Sequence, residues 1–390
     1  MAIKNLEHST NEVIGWRRYL HENPELSFKE YKTSQFVYET LLSFGGLEVS
    51  RPTETSVMAR IIGQRPGRVL AIRADMDALP IYEENTFEFI SRTPGVMHAC
   101  GHDGHTAMLL GTAKILCGMK EQIKGEIRFL FQHAEEQHPG GAEEMVQAGV
   151  MEGVDLVIGA HLMSTLEIGK IGIAYGPMMA ARDIFSITIK GSGGHGANPH
   201  ETIDPIVIAS QVVGNLQQIV SRNTDPLKNL VISITSIHGG NNFNVIPSTV
   251  ELRGSVRCFD VDLRESIPNK MEQIIRGITK AHGASYELNY EFGYRPVVND
   301  LEITHVVEET VREVFGEESL IVLGPNMGSE DFSAFQQKAP GTYFNIGARN
   351  PDKGSDFPHH HPRFTVDEDA LEIGIKMFIN AALKLLEGER

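Results

Sequence analysis

The chain has 390 residues, more than a single hydrophobic core usually organises, so two domains are expected. Its composition, 41% hydrophobic and 22% charged, excludes a disordered or low-complexity chain. With 35 basic and 51 acidic residues the formal net charge is −16, which argues against nucleic acid and anionic membranes as partners. Cys100, Cys117 and Cys258 are too few and too scattered for a disulfide framework. The first twenty residues lack the basic start and apolar run of a signal peptide, and no stretch is long and apolar enough to span a bilayer. A cytoplasmic location is therefore expected.

In chain order, residues 9–45 predict helices on either side of Pro24, with Trp16, Tyr19 and Leu20 and then Phe36, Val37, Leu41 and Leu42 at helical spacing. A strand–helix alternation follows. Residues 69–74 form an apolar strand ending at Asp75, 106–119 a helix, and 127–131 a strand leading to His133. Residues 141–149 form a short helix and 156–160 a strand ending at His161. Near-continuous apolar strands separated by helices predict a parallel sheet covered on both faces. From about 182 to 292 the rhythm changes: strands at 184–189, 230–237, 249–257 and 286–290 alternate with long helices at 204–220 and 261–282. That order, β-α-β-β-α-β, is the ferredoxin-like pattern of an α+β domain. The first rhythm then returns, with helices at 301–315, 331–337 and 367–386 and strands at 320–323 and 342–346. The expected organisation is an α/β catalytic domain in two parts, residues 1–180 and 294–390, with an inserted domain at 181–293.

Histidines cluster: His98, His102, His105, His133, His138 and His161 occupy one window and His359, His360 and His361 another, nine of the sixteen in all. Three predicted strands end at Asp75, at the run His133-Ala134-Glu135-Glu136, and at His161. Sites in open α/β sheets form outside the carboxyl ends of the strands, so Asp75, Asp77, Glu135, Glu136 and His161 are expected on one rim. The run Cys100-Gly101-His102-Asp103-Gly104-His105 lies between the first two of these strands and reaches the same rim. Cys100 and His102, two apart on an extended loop, point the same way and can grip one cation. Glu135 and Glu136 can divide two jobs, one carboxylate on a cation and one taking a proton from water. Asp75 and Asp77 suit either ligation or the holding of a histidine tautomer, with the second favoured for at least one of them. In the inserted segment, residues 191–196 (GSGGHG) form a glycine-rich turn carrying His195, a candidate donor to an oxyanion. Residues 239–247 (GGNNFNVIP) make a second turn-rich loop, and Arg257 follows as a candidate carboxylate clamp.

These motifs together resemble a family of metal-dependent amidohydrolases that includes hippurate hydrolases, N-acyl-amino-acid amidohydrolases, auxin-conjugate hydrolases and N-acetyl-diaminopimelate deacetylases. The matching segments are RADMDALP (73–80), MHACGHDGHTAMLLG (97–111), QHAEE (132–136), GAHL (159–162), GSGGHGANPH (191–200), HGGNNFNVIP (238–247), GSVR (254–257), MGSEDF (327–332) and HHHPRF (359–364). The resemblance implies a zinc-peptidase-like α/β domain with a ferredoxin-like lid or dimerisation domain. It implies a two-metal centre with Cys100, His102, Glu136, His161 and His360 as ligands, holding manganese or zinc, with cobalt or nickel tolerated. Glu135 becomes the general base and Asp77 a supporting acceptor. His195 reaches an active site, often that of a neighbouring subunit, which implies a homodimer or higher homo-oligomer. Asn244 and Arg257 match positions that hold a substrate carboxylate. The activity implied is hydrolysis of N-acyl amino acids to a carboxylic acid and a free amino acid. A dipeptidase or carboxypeptidase with the same machinery is the enzymatic alternative. A non-catalytic, metal-stabilised binding protein is the alternative of another class. The roles of His98, His105, His133, His359 and His361 stay open at this stage.

Overall fold

The computed structural model of the chain describes residues 6–387. Its elements begin with α1 (Leu6–Glu22), α2 (Tyr31–Phe44), β1 (Glu48–Ser50), β2 (Val57–Ile62), β3 (Arg65–Asp75), α3 (His102–Cys117) and β4 (Lys124–Gln132). There follow α4 (Gly141–Gln147), β5 (Leu156–Glu167), β6 (Ile171–Ile173), β7 (Gly176–Met179), β8 (Ala181–Lys190), β9 (Gly194–His195), α5 (Pro205–Arg222), β10 (Leu230–His238) and β11 (Val245–Ile246). The chain continues through β12 (Thr249–Cys258), α6 (Val261–Ala281), β13 (Ser285–Tyr294), β14 (Val297–Asn299), α7 (Leu301–Phe315), β15 (Leu320–Val322), α8 (Ser333–Gln336), β16 (Gly341–Arg349) and α9 (Asp369–Glu387). Two compact units result. The first takes the chain up to Met178, Val297–Pro325 and everything from Asp331; the second is Met179–Pro296 with Asn326–Glu330.

The first unit is built on an eight-stranded sheet of order β1-β2-β4-β3-β5-β16-β6-β15. Its central strands are parallel, β3 with both β4 and β5, and β5 with β16. Leu70, Ile72, Ile127, Phe129, Phe131, Ile158 and Phe344 are fully buried there, as strands covered on both faces require. The sheet is mixed rather than all parallel, a correction to the sequence expectation. β1 runs antiparallel to β2, β2 to β4, and β6 to β16. Residues 51–56 are too short for a parallel crossover between β1 and β2, so the chain turns back on itself. A second correction concerns β5, which runs through His161 to Glu167 instead of stopping at it. β16 continues beside it, pairing Asn345 with His161, whereas the last pair between β3 and β5 is Arg73 with Gly159. His161 thus stands on a strand that overruns its neighbour.

Helix α3 is almost wholly buried, from His102 through Ala113. Its glycines set how closely it packs. A Cβ on Gly104 would come within 2.5 Å of Leu162 Cδ1, and one on Gly111 within 2.7 Å of Ile375 Cδ1. The N-terminus of this helix, which begins at His102, is therefore fixed against β5 and α9.

Beneath the carboxyl ends of β3 and β4, Arg73 is buried among polar partners, the Tyr343 hydroxyl among them (Nη1, 3.3 Å). Its Nε donates to Gln132 Oε1 (2.7 Å), its Nη1 to Asp75 Oδ2 (2.8 Å) and its Nη2 to Asp331 Oδ1 (3.0 Å). Gln132 Nε2 in turn donates to both oxygens of Asp331 at 2.8 Å.

The second unit is a four-stranded antiparallel sheet of order β10-β12-β8-β13, which is the ferredoxin-like order. Helices α5 and α6 bury Ile208, Val212, Leu216, Ile267, Met271 and Ile275 in one core with Ile187, Ile189, Leu252 and Val256 of the sheet. Asp204 and Asp260 cap these two helices through hydrogen bonds to Ile206 and Leu263 amides. Residues 326–330 group with this unit, which the sequence reading left with the final segment. Asn326 bridges Met179, and the Ala180 amide donates to the Gly328 carbonyl (2.8 Å).

Replacing Arg73 by Met would leave Asp75 and Asp331 buried without their cation. The expected cost is about 3–5 kcal/mol in the unfolding free energy of the first unit. Trp16, the single tryptophan, lies in that unit and reports the transition by fluorescence during urea unfolding. An unchanged midpoint would contradict this account of the network.

Candidate metal centre

Past the carboxyl ends of β3 and β4, and beside His161 within β5, the donor atoms converge in overlapping groups. Cys100, His102 and His161 form one, Cys100, Glu136 and His360 a second, and His102, Glu135 and Glu136 a third, each with ligand atoms within 4.8 Å of one another. Cys100 Sγ lies 3.5 Å from His161 Nε2, and His360 Nε2 lies 3.1 Å from Glu136 Oε1. Glu136 Oε1 is buried and meets no donor in hydrogen-bond geometry. The structure thus brings Cys100, His102, Glu135, Glu136, His161 and His360 together.

Hydrogen bonds decide which histidine nitrogens face the centre. His102 Nδ1 is 2.9 Å from the Asp77 carbonyl and 3.1 Å from Asp77 Oδ1, so it carries the proton and leaves Nε2 for a ligand. His161 Nδ1 donates to the Leu162 carbonyl (2.8 Å), which likewise leaves Nε2. His105 is fully committed: Nδ1 lies 2.6 Å from Asp75 Oδ1, and Nε2 accepts from the Leu162 amide at 2.9 Å. Asp75 and His105 are therefore a hydrogen-bonded support beside His102.

The three adjacent histidines separate in the same way. His359 Nε2 accepts from the Ser164 amide (3.3 Å), with its Nδ1 3.8 Å from Cys100 Sγ. His361 Nδ1 accepts from the Arg363 amide (3.0 Å), and its ring stacks on Phe357. His360 alone of the three turns a ring nitrogen to Glu136, from a left-handed backbone conformation (φ 66°). His133 lies 3.0 Å from Glu144, off the centre, and His98 is buried with neither ring nitrogen paired.

Asp75 and Asp77 are both consumed as supports. Asp75 Oδ2 accepts from Arg73, while Asp77 Oδ2 accepts from Ser27 Oγ (2.6 Å) and from the Glu136 amide (3.0 Å). One aspartate thus orients His102 and fixes the backbone of Glu136 together.

The electrostatics call for cations. Burial opposes charge on His102, but Asp75 and Asp77 outweigh it and raise the imidazole to about 10. Burial and the Glu136, Glu135 and Asp75 carboxylates push the Cys100 thiol well up. A thiolate among these carboxylates needs an opposing positive charge, which a divalent ion supplies. Burial and the neighbouring rings of His105 and His359 hold His161 well down, in the neutral form that binds a metal. Sulfur, imidazole nitrogen and carboxylate oxygen are the donors that zinc and manganese take. By charge and donor chemistry the residues fit divalent metal.

Behind α3, Asp103 accepts from Arg17 Nε (2.8 Å) and pairs with His21 Nδ1 (2.9 Å), and His21 Nε2 reaches Glu83 (2.9 Å). Sequence reasoning passed over Arg17 and His21 because they stand on α1, far from the histidine clusters.

In the second unit, β9 and β11 pair His195 with Val245, and the Gly196 amide donates to the Asn244 carbonyl (2.8 Å). The two turn-rich loops therefore lie side by side, with His195 and Asn244 exposed. Arg257 is half-buried opposite Arg182 across the β8–β12 pair, and its Nη1 donates to the Met327 carbonyl (3.4 Å). Burial and Arg182 lower its pKa. Arg182 is a second cation that the sequence reading did not single out.

A doubly covered α/β sheet with an inserted ferredoxin-like unit, and a cysteine–histidine–carboxylate cluster on its rim, define a metal-binding hydrolase class. Residues 71–384 match the peptidase family M20/M25/M40, and the chain belongs to that family. It is thus a hydrolase acting on amide bonds. The chain is 70% identical to an N-acyl-L-amino acid amidohydrolase of Geobacillus stearothermophilus over 288 residues, 74% of this chain and 78% of that one. It is 44% identical to thermostable carboxypeptidase 2 of Saccharolobus solfataricus across 98% of both chains. Among solved structures, the YXEP protein of Bacillus subtilis, described as a dinuclear metal binding peptidase, superposes with a TM-score of 0.85 at 36% identity, covering 98% of this chain and 99% of that one. No described helix is long and apolar enough to cross a membrane.

The His21 clamp has a pH signature. Burial opposes protonation of His21, and Asp103 and Glu83 overcome it, so its folded pKa lies above the ordinary 6.5. A raised folded pKa means stability that is full below the unfolded value and lost as pH rises through the folded one. The melting temperature of the wild type is expected to fall from pH 6 toward alkaline pH more steeply than that of His21→Gln. Parallel curves for the two would contradict a charged clamp.

Proposed function

We propose that Cys100, His102, Glu136, His161 and His360 hold two divalent cations, and that Glu135 is the general base for hydrolysis of N-acyl amino acids. One observation carries the reading: Glu135 and Glu136, adjacent at the end of β4, share a donor group with His102, and the Glu136 amide is fixed by Asp77. Two carboxylates on one turn can then divide ligation and proton transfer. The ligand groups overlap at Cys100, His102 and Glu136, and five donors exceed what one tetrahedral ion takes, which favours a pair of ions. When bound, such ions supply Lewis-acid activation of water and of the scissile carbonyl.

The chain's own groups do the rest. Glu135 takes a proton from the water as its oxygen bonds to the carbonyl carbon and gives a tetrahedral oxyanion, and it then returns that proton to the amide nitrogen as the C–N bond breaks and the carbonyl reforms. His102 and His161 keep the tautomers that Asp77 and the Leu162 carbonyl impose. His195 donates to the developing oxyanion, and Asn244 and Arg257 hold the substrate's carboxylate, with Arg182 reinforcing the positive charge at Arg257. The action of His195 within a homodimer or larger homo-oligomer rests on the family resemblance. The donor set suits manganese or zinc, or alternatively cobalt or nickel, as the metal, and the sparse cysteines favour a cytoplasmic setting.

The 70% identity to an N-acyl-L-amino acid amidohydrolase favours acyl amino acids over peptides. The carboxypeptidase named among the relatives keeps peptides as the second reading. A panel of N-acetyl and N-benzoyl amino acids against dipeptides, assayed on metal-reconstituted protein, separates the two: higher kcat/KM on the acyl amino acids is expected, and higher values on dipeptides reverse the order.

Glu135→Gln is expected to retain two ions and the wild-type melting temperature while kcat falls by about 10²–10⁴-fold. Wild-type turnover in that variant would sink the general-base assignment. Exhaustive chelation is expected to abolish activity, and full activity after it would favour a metal-free mechanism.

A further inference from the structure

The turn that carries Glu135 is held from an unexpected direction. Ala134, the residue before it, is fully buried in the left-handed backbone region (φ 48°), which side-chain-bearing residues rarely adopt. Something outside the turn must hold it there. The Ala134 carbonyl accepts from the Gly141 amide (3.0 Å), and the Ala134 amide donates to Glu30 Oε1 (2.8 Å). Glu30 is itself fully buried, 104 residues earlier in the chain, at the entry to α2. The same oxygen accepts from the Phe28 amide (3.0 Å), and Oε2 accepts from Thr55 Oγ1 (3.0 Å).

The loop between α1 and α2 braces the neighbouring turn as well. Leu26 bridges Ala78, the Ala78 amide donates to the Glu25 carbonyl (2.8 Å), and Ser27 Oγ donates to Asp77. Phe28, also left-handed (φ 64°), sets its ring edge-on to His133. One loop therefore grips both carboxylate-bearing turns, at residues 75–78 and at residues 133–136. Glu30 is its one carboxylate bonded to the second.

We propose that Glu30 is a positioning residue for Glu135: its carboxylate fixes the Ala134 amide and so sets the left-handed turn from which the general base projects. The inference rests on the general-base reading of Glu135. What matters is an acceptor oxygen at the right reach. Burial and the nearby Asp77 carboxylate raise Glu30 to about 7. A glutamine, which keeps both reach and acceptor, is accordingly expected to serve. An aspartate keeps the charge but withdraws the oxygen by one methylene.

The test compares Glu30→Gln, Glu30→Asp and Glu135→Gln in the full-length, metal-reconstituted protein, on an N-acyl amino acid that the wild type hydrolyses. Metal content is measured by mass spectrometry, and amide hydrogen exchange of residues 133–136 is followed on metal-free protein. Glu30→Asp is expected to lose about ten- to a hundredfold in kcat with KM within threefold, two ions per chain, and faster exchange at the turn. Glu30→Gln is expected to recover kcat to within about threefold of wild type with exchange near the wild-type rate. Equal loss in both variants would make the charge, not the reach, the active property and overturn the proposal. Loss of metal from Glu30→Asp would overturn it too, by placing the effect at the ligands. A fully active Glu135→Gln would remove the reading beneath the proposal. An inactive Glu135→Gln beside a fully active Glu30→Asp would defeat the Glu30 assignment alone.

Discussion

The site depends on one buried carboxylate. Asp77 leaves β3 with both oxygens engaged, Oδ1 on the His102 ring and Oδ2 on the Glu136 amide and Ser27 hydroxyl. Through it the strand-to-helix loop carrying Cys100 and His102 is registered against the turn carrying Glu135 and Glu136. A carboxylate so placed is stable only because it is paired on every side: His102, Ser27 and the Glu136 amide together hold it below the ordinary carboxylate range despite full burial. The neighbouring Asp75 is served in the same way by Arg73 and His105. Negative charge thus accumulates around Cys100 and His102, and the family's use of divalent metal is the physical answer to it.

The layered support explains why so many histidines crowd one rim. Nine lie in two windows of sequence, yet hydrogen bonding leaves only some with a nitrogen for a cation. His105 spends both nitrogens on Asp75 and the Leu162 amide, and His359 spends Nε2 on Ser164. Their rings pack against His161 at centroid distances of 4.6 and 5.0 Å, and burial together with these two neighbours holds His161 well below the ordinary imidazole range. Such residues tune the donors without being donors.

Much of this was legible in the sequence, for identifiable reasons. The apolar runs at 69–74, 127–131 and 156–160 marked the central strands, and the acids and histidines after them marked the rim. The two long amphipathic helices among alternating strands marked the ferredoxin-like unit. Strands β1 and β2 escaped notice because they are short and lie where the sheet turns antiparallel; β2 alternates between buried and half-buried positions. The extension of β5 past His161 depends on pairing with β16, nearly two hundred residues away, which no local pattern records. Glu30 and Arg73 escaped for a related reason. Each is a charged residue whose defining partners, Gln132 and Asp331 for Arg73 and the Ala134 amide for Glu30, lie far along the chain, and in sequence it is indistinguishable from a solvated one.

The most direct test of the central claim is a crystal structure of the metal-reconstituted protein with anomalous scattering at the metal edge. The account predicts two peaks per chain, bounded by Cys100, His102, Glu136, His161 and His360, with Asp77 and His105 still hydrogen-bonded behind them. A single peak, or ligation through Asp75, His105 or His359 in place of those five, would contradict it.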